Sequence, residues 1–558
     1  MSSKRDAAIV RRERPADPAP RHRAGVVSPG STPRIVLGLL AVALGALALY
    51  WLLWTPAYRL NERFEYADLV LGAFPAIGPV LAAQLALVRA IAPPAVASYE
   101  GTRVLFMALL GSLFALYGVA LWLVARASRR VAVVLVLATT LAFQLVLLPL
   151  PGVFSTDLFS YAFYGEVAGR LGGSPYVQVP DDFPTHPLYL LINPLWRDAP
   201  SVYGPAWSAL SAGVGAIWGG DVLAQVLAYR LIADVCHWAN LAALWWALRR
   251  LRPGAEPFGL ALYAWNPLVV VEFAASGHND GLLILFLLLA MSLAARGRAW
   301  AAVVALVLSV ATKYTTVLLL PLLLWWAARH HQGWRRVAVA AGAGLAALAA
   351  LAAAYLPWWR GAATFGPIIY WISTPLYANY APIGIAAWVR DRVWAAGWLD
   401  WDTAEQAAFG VERQLVRLGF LAYLAFETLR LRRAADLPLA CARVLLVFLL
   451  GVNTWVLPWY YTWPLALVAL GDPRSRTTAV AVGLSATAAL AMYWAQTHLE
   501  GMDGGGYMLY LAPLGALAAW EAWQQARAGR AALLYGVLRT LSSGGRKTSC
   551  APGSTLKK

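Results

Sequence analysis

Four stretches of the 558-residue chain carry side chains suited to chemistry: "TDLFSYAFYGE" from Thr156, "SVYGP" from Ser201, "GHND" from Gly277 and "SVATKYTT" from Ser309. On a helix, Asp157, Tyr161 and Tyr164, spaced by four and three residues, share one face. Glu166 stands nine residues from Asp157, which at roughly 100° per residue puts it on the opposite face. An ionised aspartate can take the proton of an attacking hydroxyl as a general base. The same Asp157, just past an apolar run, can also cap the helix that follows. Glu166 has Arg170 at i,i+4 and can pair with it at the surface.

Lys313 interrupts an apolar run, so it needs an anion or a route to water; snorkelling toward the cytoplasm is the plainer role. His278 can meet the charge on a leaving group, or can be an interfacial histidine satisfied by Asn279 or Asp280. The "GHND" stretch offers one imidazole and one carboxylate with no second histidine at ligand spacing, so no metal site is expected. Tyr203 and Tyr460 complete the set, together with a wealth of tryptophan and tyrosine that serves interfacial belts and also suits stacking on sugars.

These groups must be positioned by membrane helices. The chain is 60% hydrophobic and 13% charged, against about 25% charged in soluble domains. Its repeated apolar runs match the roughly 20 residues that span a bilayer. The first run starts near Ile35 behind a long basic, Pro-rich lead, which predicts a retained helix rather than a cleaved signal. The net charge of +17 falls in short clusters between apolar runs, at Arg126, Arg249, Arg296, Arg329 and Arg430. That is the pattern of cytoplasmic loops and not of a nucleic-acid surface. The three cysteines lie far apart and suggest no disulfide framework.

Counting crossings between basic clusters predicts an all-α polytopic membrane protein with about fourteen transmembrane helices and external loops carrying interfacial helices. Both termini fall in the cytoplasm. Residues 1–34 and 527–558 are expected as basic tails around a membrane domain at 35–526. Pro205–Trp218 is expected as a short dipping helix, and Trp300–Thr312 and Thr315–Ala328 as short crossings flanking Lys313. The polar residues then collect at the extracytoplasmic face, with Lys313 the exception. An enzyme working there has no nucleotide sugar, and a polyprenyl-phosphate sugar is a donor that the membrane can deliver. No cofactor is expected. A lipid or polysaccharide transporter and an oligosaccharide ligase using a lipid-diphosphate donor are the alternatives. A transporter would concentrate charge at the midplane of broken helices, and a ligase would lean on outward-facing arginines.

The four stretches, with "YAWNPLVVVEFAASGHNDGLLILFLLLA" around the third, resemble the bacterial polyprenyl-phosphate-mannose-dependent α-1,6-mannosyltransferases of the GT-C superfamily. The ordered motifs run from Thr156 to Leu324. The resemblance implies a GT-C fold, an inverting sugar transfer from a polyprenyl-phosphate donor to a glycolipid or glycan acceptor, and a catalytic base at Asp157. It implies donor-site roles for the Tyr203 and His278–Asn279–Asp280 segments. Two departures stand out: phenylalanine at 159 in a "YSY" pattern, and Glu166 where related sequences often carry a basic residue.

Overall fold

The computed structural model describes residues 32–61, 66–373, 379–498 and 506–521. Apart from residues 32–34, which open the first helix, the two expected tails lie outside the described residues. Among the described residues the chain is all-helical, with one isolated bridge between Arg360 and Ala362 and no strand.

Among the described residues, seven helices are long and apolar enough to cross a bilayer: Pro33–Leu60, Tyr99–Val124, Arg129–Leu147, Val222–Leu251, Gly333–Trp358, Ala434–Val452 and Arg476–Ala495. Two bent pairs, Tyr66–Ala73 with Ile77–Ile91 (119°) and Glu256–Ala264 with Pro267–Ala275 (58°), bring the number to nine. The protein is a multi-pass membrane protein. Two apolar helices are shorter than a full span: Asp280–Ala295 has 16 residues, and Ala299–Thr312, expected as a short crossing, has 14. The run after Lys313 is divided between a tight turn at Tyr314–Leu319 and a helix at Leu320–Ala327. The segment between residues 58 and 101 holds the first bent pair.

The basic clusters at Arg126, Arg249 and Arg296 meet at one end of the bundle. Arg129 pairs with Glu256 at 3.1 Å, Arg250 donates to Ala295 O, Arg296 donates to Trp246 O, and Arg252 donates to Gly471 O. Arg126 and Arg296 lie over Trp122 and Trp246. Such Arg–Trp pairs gain from ring charge while leaving the guanidinium near water.

The helix carrying the first motif, Asp157–Gly169, packs on Pro205–Trp218 through glycines. A Cβ on Gly165 or Gly169 would come within 2.5 Å of Ser211 O or 1.9 Å of Ala212 O, and one on Gly215 within 2.2 Å of Gly165 O. Gly165 and Gly169, four apart on the first helix, and Gly215 on the second let the backbones touch. The "VYGP" turn is tied to the Lys313 break: Gly204 N–H donates to Thr312 O at 3.0 Å. A Cβ there would meet Ala311 O at 2.2 Å. Tyr203 and Lys313 are thereby fixed beside one another.

Candidate active site

Asp157 begins its helix, where partial positive charge from the backbone favours a carboxylate. Thr156 holds the capping position and its side chain makes no cap hydrogen bond, while the Asp157 N–H donates to Ser155 Oγ at 3.3 Å, so capping does not account for the Asp157 carboxylate. Its carboxylate lines a cavity open to the outside, together with Ser160, Tyr164, Tyr203, Lys313 and Tyr460. Trp196 and Trp455, packed edge to face at 5.1 Å, form another wall.

Lys313 sits at the break between two helical segments, in extended backbone with φ −153° and ψ 127°. Its ammonium donates to both oxygens of Asp280 at 3.0 and 3.3 Å. It also lies 4.6 Å from the ring centre of Tyr460 and 5.4 Å from that of Trp463. The expectation that Lys313 stands apart in depth is therefore corrected. The helical break turns it toward the same end as Asp280, whose buried charge it pairs. Asp280 in turn accepts from Trp463 Nε1 at 2.6 Å. Asp280 opens the helix that ends at Ala295, beside Arg296. At 1.5 Å per residue, 16 residues separate the cavity end from the arginine end by about 24 Å.

His278 is buried and faces carboxylates from three elements. Its Nδ1 is 3.9 Å from Asp157 and 4.0 Å from Asp280, and its Nε2 is 3.3 Å from Glu272. Tyr161 OH is 3.3 Å from Nδ1, and Trp459 stacks on the ring at 4.0 Å. The "GHND" turn needs its glycine: Gly277 has φ +65°, a conformation that side chains disfavour. Burial pushes the Asp157 carboxyl above its usual range, while His278 and Lys313 pull it down and Asp280 pushes it up; the net direction is upward.

Of the ten residues singled out from the sequence, Asp157, Tyr164, Tyr203, Lys313 and Tyr460 line the cavity. Tyr161, His278 and Asp280 lie directly behind that wall. Tyr164 OH also donates to Ala199 O at 2.5 Å, pinning the loop that carries Trp196. Asn279 is buried, and neither polar atom of its side chain has a hydrogen-bond partner among the described residues. Glu166 lies on the opposite face of the helix, away from the cavity. It is buried rather than at the surface: Arg170 (3.2 Å), Gly220 N–H (3.0 Å) and Gln225 (2.8 Å) all donate to it. His186 Nε2 is 3.6 Å away. Burial works against its charge, but bonds from His186, Gly220 and Gln225 prevail and hold its pKa at about 2. Sequence reasoning missed Ser160, Trp196, Trp455 and Glu272. Ser160 lies one turn from Asp157, so helical spacing could have found it; the others come from distant segments with no local signal.

Residues 65–329, which hold nine of these ten side chains, all but Tyr460, match the family described as α-(1→6)-mannopyranosyltransferase, N-terminal domain. The chain resembles that family. It is 28% identical to α-(1→6)-mannopyranosyltransferase A of Mycobacterium tuberculosis over 364 residues, 62% of this chain and 67% of the relative. A second M. tuberculosis α-(1→6)-mannopyranosyltransferase is 33% identical over 160 residues, 28% of this chain and 26% of the relative. The B enzyme of Corynebacterium glutamicum is 29% identical over 150 residues, 26% of this chain and 24% of the relative. The chain thus spans two-thirds of the first relative and about a quarter of the other two. The resemblance expected from the motifs is borne out, and with it a membrane glycosyltransferase.

Proposed function

We propose that this protein transfers mannose from a polyprenyl-phosphate donor to a hydroxyl of a glycolipid or glycan acceptor, with inversion, at the extracytoplasmic face. The carrying observation is that Asp157 and Lys313 line one aromatic-walled cavity, in a chain resembling α-(1→6)-mannopyranosyltransferases. A GT-C architecture accommodates this arrangement.

In the proposed step the acceptor oxygen bonds to the anomeric carbon as the bond from that carbon to the phosphate oxygen breaks. The electron pair of the broken bond leaves on the phosphate, and the hydroxyl proton passes to Asp157. Lys313 offers positive charge to the departing phosphate from a site largely shielded from water. Its pairing with Asp280 fixes the ammonium in place rather than leaving it to swing. The flat faces of Trp196, Trp455 and Tyr460 suit a sugar ring. One displacement turns a β-linked phosphate into an α-linked product and needs no sugar–enzyme intermediate.

The outer-face assignment is supported by the separation of the cavity from the arginine-rich end, because basic residues favour the cytoplasmic side. Purified protein incubated with radiolabelled polyprenyl-phosphate-mannose and candidate glycolipids should yield an alkali-stable, α-linked labelled product. Retention of all label on the donor across the acceptor set would overturn the reading. Impermeant labelling of Thr185→Cys, an exposed position of the 152–203 loop, but not of Ser128→Cys in intact cells would support the topology; the reverse pattern would invert it.

A further inference from the structure

Two neighbours on the Val222–Leu251 helix touch nothing in the cavity, yet hold the segments that deliver Asp157 and His278. Arg230 is fully buried. No carboxylate lies within 4.0 Å of it among the described residues; it is satisfied instead by four backbone carbonyls. Its Nη1 donates to Leu148 O at 3.0 Å and Leu150 O at 3.1 Å, Nη2 to Gly152 O at 2.6 Å, and Nε to Ala275 O at 2.9 Å.

Those carbonyls belong to two helix ends. Leu148 follows the Arg129–Leu147 helix, and residues 148–152 lead into Asp157. Ala275 closes the Pro267–Ala275 segment, three residues before His278. The last carbonyls of a helix have no partner of their own, and a cation is favoured there. One planar guanidinium thus closes two helix ends at once, which a lysine with a single nitrogen cannot reproduce. Tyr229 adds a third tie, its hydroxyl donating to Tyr161 O within the Asp157 helix at 2.9 Å. The Gly277 turn is wedged in the same place. A Cβ there would lie 3.2 Å from Leu158 and 3.3 Å from Arg230 N.

We propose that Tyr229 and Arg230 form a positioning clamp that sets Asp157 against His278, and so against the cavity. This rests on Asp157 being the base. A shift of about 1 Å in a reacting group can cost on the order of 10²-fold in rate, so turnover should feel the clamp while donor binding should not.

The test is a set of cycles in the full-length protein reconstituted in lipid: Arg230→Lys and Tyr229→Phe, each alone and with Asp157→Asn. Arg230→Lys should lower kcat by about 10²-fold and Tyr229→Phe by roughly 10-fold, with donor KM held within about threefold. In the Asp157→Asn background each should add less than about twofold, because the group they position is already disabled. Unchanged kcat in the single variants would overturn the clamp, as would losses that multiply in full with Asp157→Asn or that appear equally in donor KM. Tyr229→Phe removes one hydroxyl and carries the same test should Arg230→Lys fail to insert. If Asp157→Asn retains normal transfer, the base assignment falls and the clamp with it; if it is inactive while both clamp variants turn over normally, the clamp alone falls.

Discussion

Asp157 and Glu166 belong to one 13-residue helix, and their surroundings are opposites. Glu166 is buried, and two side chains and a backbone N–H donate to it. Asp157 accepts no hydrogen bond on its carboxylate among the described residues; it is part-exposed to a cavity, with His278 at 3.9 Å. A carboxylate whose oxygens are all engaged has little capacity left for a proton in transit. One that stays unengaged beside a cation and an open volume has that capacity. Position on the helix decides which is which, since nine residues turn the second carboxylate to the far side.

The largest expected break in this contrast is Asp157→Asn. It keeps size and removes the base, and general-base contributions are typically 10²–10⁴-fold. Turnover should therefore fall by at least about 10²-fold with donor affinity retained. Steady-state kinetics on a variant shown to be folded and membrane-inserted checks it. Transfer within about threefold of the parent would remove Asp157 from the role.

Next is Lys313→Met. It deletes the charge facing the cavity and leaves Asp280 buried without its cation. Donor affinity should drop by roughly 10-fold or more, since charge-assisted bonds contribute about 1.5–3 kcal/mol. It should also move the pH profile. Asp157 acts only when ionised, and its pKa is already raised by burial. The acid limb of kcat should therefore lie above the pH at which an ordinary aspartate, about 3.9, would place it. Removing Lys313, which pulls that pKa down, should shift the limb further up. An unmoved limb would break the coupling between the two residues.

The contrast was legible in part. Spacing alone put Asp157 and Tyr164 on one face and Glu166 on the other, and the structure keeps that division because the helix runs unbroken to Gly169. The apolar runs announced a helical membrane protein. The Lys313–Asp280 pair was not legible, because a lone lysine in an apolar run says that it needs an anion without saying which. Nor was the Trp196–Trp455 wall, brought together from two distant loops. Arg230 and Glu272 sit inside apolar runs, where hydropathy averaging hides a single buried charge, and the helix bends depend on packing that periodicity does not report. Counting crossings from charge clusters gave the short runs around Lys313 the same weight as full spans, because charge parity does not report where a run is broken near the cavity.

The smallest expected effect on turnover belongs to Glu166→Gln, which sharpens the comparison from the other side. The amide keeps the size of the carboxylate and can still accept from Gly220 N–H, but it loses the charge that Arg170 and His186 face. Because the group is on the far side of the helix from the cavity, kcat should stay within about threefold, well short of the 10²-fold or more expected when a base is lost. Stability should respond instead. The folded pKa of Glu166 is lowered from 4.5 to about 2, so its charged form is favoured by folding. That contribution is present in full above the unfolded value and is lost as pH falls through the folded one. The parent should therefore lose thermal stability between about pH 4.5 and 2 more steeply than Glu166→Gln, which has no proton to take up there. Thermal melts of both proteins in the same detergent across that range measure the difference. Parallel curves would show that Glu166 is not held ionised by its partners. A loss of turnover matching that of Asp157→Asn would dissolve the distinction between the two faces of the helix.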